Sequence, residues 1–260
     1  KPLTAVALGV LKDRGLIRWD DSLSQFIPEW AMFSQPEATL SQLLTHTAGF
    51  ENRDLGWPEN QWESIVSEVM QRPLPSDWPV GEKAGYVVAA SWFLLGEVIC
   101  RLTLQDFPTT LRQLVLDPLG MKNSFCGLSQ DEMSLVEPKL GRMFGRTPHG
   151  LEDLNWNQGG RVMNPAPGGN CRGPIRELGK FYESLLPNSA TNLLSNETAN
   201  QLTTRQRVGM YDQTFRHKID WGYGFIVNSN CYGGDSVPYG FGRYSGESTF
   251  GHGGSQSSIG

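Results

Sequence analysis

The chain opens with the stretch KPLTAVALGVLKDRG, residues 1–15. Its apolar residues recur at positions i, i+3, i+4, i+7 and i+8, namely Leu3, Val6, Ala7, Val10 and Leu11. This spacing places them on one face of a helix, and Gly15 stands where such a helix would end. The stretch therefore predicts an amphipathic helix whose apolar face packs into the core, with Lys1 at its start.

The same helical period continues along the first two-thirds of the chain. It is present at residues 42–45, 62–70, 92–102 and 107–116, and again after Pro174, a residue suited to a first helical turn. Residues 120–173 are rich in Gly, Pro and Asn, and we expect them to be irregular.

From Trp221 the pattern changes to an alternation typical of strands, carried by Tyr223, Phe225 and Val227 and followed by Gly-rich loops. Helices followed by strands predict an α+β fold, a helical lobe packed on an antiparallel sheet, rather than repeated βαβ units. We expect one domain over residues 1–260.

The composition excludes several classes of function. The 260 residues carry 22 basic and 27 acidic side chains, a net charge of −5, without a basic stripe that would bind nucleic acid. No apolar run is long enough to span a bilayer, and no signal peptide is visible. These observations leave a cytoplasmic or an exported location equally open.

Metal and cofactor sites are not expected either. The cysteines Cys100, Cys126, Cys171 and Cys231 form no C-x-x-C pair, and buried free thiols are the simplest interpretation, although a disulfide stays open. No His pairs with another ligand at metal spacing. The G-x-S-x-G, P-loop and dinucleotide-binding motifs are also missing from the sequence.

Several positions nevertheless suggest acyl-transfer chemistry. Lys1 at the start of an apolar helix would be partly desolvated, which favours the neutral amine that a general base requires. Tyr86 lies between a Gly-containing loop and a helix. His252 lies among glycines, where a backbone N–H such as that of Ser255 could polarise a carbonyl. Taken singly, a solvated lysine, a packing tyrosine and an incidental histidine are the simpler interpretations.

Together these positions fall within motifs that resemble the serine β-lactamase and penicillin-binding superfamily. The motifs are Lys1 to Asp21, Leu43-Leu44-Thr45-His46-Thr47-Ala48-Gly49-Phe50, Gly81 to Tyr86 before Trp92-Phe93-Leu94-Leu95-Gly96-Glu97, Asp117-Pro118-Leu119-Gly120-Met121 and Gly251-His252-Gly253-Gly254. They follow the family's order along the whole chain. The resemblance implies a β-lactamase/transpeptidase-like fold and a metal-free serine hydrolase that works through an acyl-enzyme.

The resemblance also implies a role for each candidate residue. Lys1 would be the lysine of the S-x-x-K motif, Tyr86 the proton relay, and His252 a cleft residue at the family's K-T-G position. The N–H of Ser255 would form half of an oxyanion hole. No Ser in this chain has a Lys three positions later. We therefore expect the nucleophile three residues before Lys1, the domain to be incomplete at both ends, and the 260 residues alone to be inactive.

One departure from the family bears on the substrate. The family's second motif is Tyr-x-Asn, whereas this chain has Tyr86-Val87-Val88. The missing Asn favours a small-ester hydrolase or a D-amino-acid peptidase over an efficient β-lactamase. A non-catalytic member that binds a ligand or self-assembles is a further alternative. The expected partner is a small ester, amide or β-lactam; the oligomeric state stays open.

Overall fold

The protein is described from a computed structural model that covers residues 1–33, 37–234 and 236–254. The α-helices of this part span Pro2–Asp13 (α1), Leu23–Phe26 (α2), Glu29–Met32 (α3), Leu40–Leu44 (α4), Trp62–Gln71 (α5), Ala90–Thr103 (α6), Phe107–Leu111 (α7), Gln130–Val136 (α8), Gly159–Met163 (α9), Ile175–Glu183 (α10) and Asn196–Thr203 (α11). Its strands span Phe144–Thr147 (β1), Gly150–Asp153 (β2), Tyr211–Asp212 (β3), His217–Lys218 (β4), Asp220–Trp221 (β5), Ile226–Val227 (β6) and Phe250–Gly251 (β7).

Helix α1 lies at the centre of the core, as its periodicity predicts. Eight consecutive residues, Thr4–Leu11, are buried, and the helix contacts α6, α7 and α11. Thr4 anchors it further because its hydroxyl donates to the carbonyl of Pro167 at 2.7 Å. The helix ends before Gly15, whose φ of +73° is a conformation that glycine adopts without strain. The core thus fixes the direction in which the first residue of α1 points.

Within the described residues the strands pair antiparallel in three small sheets: β1 with β2, β3 with β4, and β6 with both β5 and β7. An isolated parallel bridge also joins Ala84 to Asp212 of β3. In the three-stranded sheet, Ile226 pairs with Gly251 and Val227 with Phe250. The ring of Phe225, which directly precedes β6, stacks on Phe181 of α10. The predicted α+β architecture, helices packed against an antiparallel sheet, is confirmed.

Two regions differ from the sequence-based expectation. The segment 120–173 is not wholly irregular, since it contains α8, α9 and the β1–β2 hairpin. Both strands of the hairpin are largely exposed to solvent, so their sequences lack the alternation of apolar and polar residues by which a half-buried strand is predicted. Within the described ranges, no helix is both long and apolar enough to cross a membrane.

Candidate functional site

Lys1 is buried at the start of α1, with 7% of its surface exposed. Its Nζ donates to the carbonyls of Val88 and Gly168, both at 2.7 Å. Burial lowers the pKa of the Lys1 amine to about 7. At neutral pH a large fraction of this amine is therefore uncharged, with two N–H bonds engaged and a lone pair free.

Gly168 can occupy this position only because it has no side chain. A Cβ at residue 168 would lie 2.5 Å from the carbonyl oxygen of Val88, the other acceptor of the Lys1 amine. The loop around Gly168 and the segment around Val88 therefore approach each other closely, and their carbonyls hold Nζ from two directions.

The second element of the site is the segment Tyr86–Val88, which precedes α6. Three of its backbone groups bind the side chains of Asn52 and His46, which are distant in sequence. Asn52 Nδ2 donates to the Tyr86 carbonyl and Asn52 Oδ1 accepts from the Val88 N–H, both at 2.7 Å. The Val87 N–H donates to His46 Nδ1 at 3.1 Å. These bonds replace the ladder of a regular strand.

The N–H of Tyr86 binds a buried ion pair. It donates to Asp212 Oδ1 at 3.0 Å, while Asp212 Oδ2 lies 3.0 Å from Nη2 of Arg207. Arg207 also donates to the carbonyls of Thr45 and Ile219. Burial lowers the pKa of Arg207 to about 10, opposed by Asp212, so the guanidinium stays charged at neutral pH. The pair thus connects the segment of Tyr86 to that of His46.

His46 and His252 are both held neutral in the site. Burial lowers the pKa of each imidazole well below its ordinary value, and the nearby Lys1 acts in the same direction. His46 Nδ1 accepts from Val87, so its proton resides on Nε2. His252 Nδ1 donates to the carbonyl of Gly253 at 2.6 Å, which leaves its Nε2 as an acceptor. Nε2 of His46 is therefore a hydrogen-bond donor, whereas Nε2 of His252 is an acceptor.

The ring of Tyr86 joins these groups. Nζ of Lys1 lies 5.0 Å from its centroid, and the rings of His46 and His252 lie 4.8 and 6.2 Å away. Burial is the main cause that raises the pKa of the Tyr86 phenol, so this side chain stays protonated at neutral pH. The phenol is thus a proton donor, and Lys1 is the group able to accept a proton.

The structure brings together three of the four candidate residues: Lys1, Tyr86 and His252. Ser255 lies outside the described residues. Sequence reasoning missed Asn52, Asp212, Arg207 and Gly168, which hold these residues in place. Of these four, only Gly168 has a signal in the sequence, because it belongs to the Gly-rich run before Cys171. Asn52, Asp212 and Arg207 look like ordinary polar loop residues.

The site has the chemistry of proton transfer. Across residues 1–33, 37–234 and 236–254, no three His, Cys, Asp or Glu side chains converge as a metal ion would require. A base of pKa about 7, a neutral phenol and two neutral imidazoles suit the activation of a hydroxyl nucleophile.

Comparison with known protein families shows to which family the chain belongs. The family model described as Beta-lactamase matches residues 1–260. The chain belongs to the β-lactamase family. The resemblance of its motifs to the serine β-lactamase and penicillin-binding superfamily is thereby confirmed.

Three relatives illustrate the range of this β-lactamase-family fold. Esterase EstB of Burkholderia gladioli is 26% identical over 148 residues, which is 51% of this chain but only 37% of EstB. A penicillin-binding protein homologue from Caulobacter crescentus superposes with a TM-score of 0.71 at 21% identity, over 96% of this chain and 69% of that one. A D-stereospecific amidohydrolase from Streptomyces sp. gives a TM-score of 0.65 at 18% identity, over 88% and 69%.

Proposed function

We propose that the protein containing this chain is a serine hydrolase that transfers acyl groups, with carboxylic esters as its substrates. The observation that carries this proposal is the environment of Lys1. Its amine is buried, is held by two carbonyls and has a pKa of about 7, which are the properties of a general base at neutral pH.

The proposed nucleophile is a serine three residues before Lys1. Residues three apart on a helix lie on the same face, so its hydroxyl would face the Lys1 amine. The two N–H bonds of the neutral amine are used by Val88 and Gly168, and its lone pair takes the serine proton. The serine oxygen then attacks the ester carbonyl. The new ammonium has a third N–H, which returns the proton to the leaving alcohol, and water releases the acyl group.

Tyr86 would serve this reaction as a donor. Because its phenol stays protonated at neutral pH, it can donate to the oxygen of the leaving group or exchange a proton with Lys1. The ring of His252 lies 6.2 Å from that of Tyr86, and its Nε2 is unprotonated. We propose that it contacts the substrate rather than the nucleophile.

Val88 supports an ester over an amide substrate. It stands where the family's second motif has Asn, and 55% of its surface is exposed beside the carbonyl that holds Lys1. An apolar side chain there offers van der Waals contact to an acyl chain and no hydrogen bond to an amide. The relative EstB is named an esterase.

The decisive experiment uses the protein with the residues before Lys1 included. A Ser three residues upstream, hydrolysis of a short-chain p-nitrophenyl ester and complete loss of this activity on Ser→Ala would support the proposal. Any other residue at that position would refute it. An intact Ser that never reacts with a fluorophosphonate probe would instead indicate a non-catalytic binding protein.

A D-amino-acid amidase is the second candidate, supported by the fold shared with the Streptomyces amidohydrolase. A panel of p-nitrophenyl esters and D-amino-acid p-nitroanilides separates the two. We expect kcat/KM for the ester to exceed that for the anilide. Substitution of Val88→Asn should narrow the difference, because Asn would supply the missing amide contact.

A further inference from the structure

Two of the four cysteines lie directly opposite each other. Phe125 and Arg172 exchange two backbone hydrogen bonds, each 2.8 Å long, in an isolated antiparallel bridge. The adjacent residues on the two chains, Cys126 and Cys171, therefore form a non-hydrogen-bonded pair. Such pairs have a Cα–Cα distance of about 4.5 Å with both side chains on one face, within the range that a disulfide spans.

The pair on the other side of the bridge supports this register independently. Ser124 and Gly173 are also opposite each other, and a Cβ at Gly173 would lie 2.8 Å from Cβ and 3.0 Å from Cα of Ser124. The two segments therefore approach as closely as non-hydrogen-bonded pairs do. Gly173 permits this approach because it has no side chain to collide with Ser124.

The two thiols differ in environment. Cys126 is buried with 2% of its surface exposed, whereas Cys171 is half-buried. The interaction between the two sulfurs lowers the pKa of Cys171 and, together with burial, raises that of Cys126. Cys171 is thus both the more accessible and the more acidic thiol of the pair.

We propose that Cys126 and Cys171 form a dithiol pair that a small disulfide, such as oxidised glutathione, converts to an intramolecular cystine. The Cys171 thiolate attacks the glutathione disulfide and releases one glutathione thiolate. The Cys126 sulfur, deprotonated by that thiolate, then attacks Cys171 and releases the second glutathione. Both cysteines are oxidised, one glutathione disulfide is reduced to two thiols, and the two cysteine protons end on glutathione.

The cystine would act on the loop that holds Lys1. Sγ of Cys126 lies 3.6 Å from the carbonyl of Ala166 and 3.7 Å from that of Gly169, and Gly168 between them accepts from Nζ of Lys1. A covalent link beside this loop fixes its end and constrains the unfolded chain. We expect the oxidised form to unfold at a temperature roughly 5 to 10 °C higher.

The test does not depend on hydrolytic activity. The folded protein is incubated with excess oxidised glutathione, remaining thiols are blocked in denaturant, and peptides are mapped by mass spectrometry without reduction. We expect a cross-linked peptide joining Cys126 to Cys171, with loss of two hydrogen atoms and reversal by dithiothreitol. Cys231, which is exposed, should acquire only a removable glutathione.

Matched variants provide the control. Cys100→Ala removes a half-buried thiol that has no part in the bridge and should leave the cross-link and the rise in unfolding temperature intact. Cys171→Ala should abolish both. The proposal is overturned if the native protein keeps both thiols free, if Cys171 stops at a mixed disulfide, or if Cys126 links to another cysteine. The native protein alone gives each of these readouts, so the test holds even if a variant misfolds.

Discussion

Two segments meet at the ring of Tyr86, and they are held in different ways. Tyr86–Val88 binds the side chains of Asn52, His46 and Asp212 through its backbone groups. On the other side, Phe250 and Gly251 pair with the backbone of β6, and His252 follows them directly. The position of Tyr86–Val88 therefore depends on individual side chains, whereas that of the segment leading to His252 depends on backbone pairing within the sheet. Single substitutions should therefore disturb the first side far more than the second.

The largest expected effect is on activity, from Lys1→Met. This change keeps a long apolar side chain but removes the amine, so kcat should fall by about 10³- to 10⁴-fold because the nucleophile loses its base. Ester hydrolysis by the protein with its upstream residues measures this. Lys12→Met on the same helix is the control and should keep full activity. A fall of less than tenfold for Lys1→Met would contradict the role of Lys1.

The next effect is on stability, from Asp212→Asn. The substitution keeps an oxygen that can accept from Tyr86 but leaves the buried Arg207 charge unpaired, at a cost of about 3 to 5 kcal/mol. Urea unfolding measures the difference. Asp20→Asn, which breaks an exposed ion pair with Arg18, should leave the free energy of unfolding unchanged. Equal effects of the two substitutions would show that the buried pair does not hold the segment.

Tyr86→Phe and Tyr182→Phe compare the two sides directly. Loss of the Tyr86 hydroxyl should reduce kcat by about 10²-fold with little change in stability, because the ring and its packing remain. The Tyr182 hydroxyl instead accepts from the backbone N–H of His252, and burial raises its pKa to about 12. Its removal should cost about 1 kcal/mol and leave kcat within a fewfold. Ester-hydrolysis kinetics and urea unfolding of both variants measure these effects. A larger loss of kcat in Tyr182→Phe than in Tyr86→Phe would contradict the assignment.

Asn52→Ala removes two backbone hydrogen bonds from the Tyr86–Val88 segment. We expect a loss of about 1 to 2 kcal/mol in unfolding free energy and a raised KM, since the carbonyl of Val88 also positions Lys1. Asn52→Asp keeps the oxygen that accepts from the Val88 N–H, so its unfolding free energy should fall less than that of Asn52→Ala. Arg53→Ala, which removes only an exposed pair with Glu51, serves as the control. An Asn52→Ala variant that matches this control would refute the positioning role.

The last prediction concerns the response of the unsubstituted protein to pH. Burial lowers the pKa of Lys1, so the neutral base increases as pH rises through about 7. Below that value kcat/KM should fall about tenfold for each pH unit, and above it should level off. The residual activity of Lys1→Met should not show this inflection. A profile that rises toward acid would assign the proton acceptor to another group.

Much of the fold was predictable from periodicity. Helices α1, α5 and α6 were predicted because each buries an apolar face with the 3.6-residue period. Helix α11 and the β1–β2 hairpin were not, because α11 is mainly polar and the hairpin is largely exposed. Ser91, a few residues past the expected Asn position of the second motif, is buried and packs within α6.

The sequence by itself determined the helical core, the strand-rich end and the order of motifs that includes Lys1, Tyr86 and His252. These features follow from local periodicity and from residue types at short spacing. Only the tertiary structure decided how Lys1 is buried between Val88 and Gly168, and which distant side chains hold Tyr86. Desolvation and long-range hydrogen bonds depend on neighbours that the folded chain alone brings together, and no spacing along the sequence encodes them.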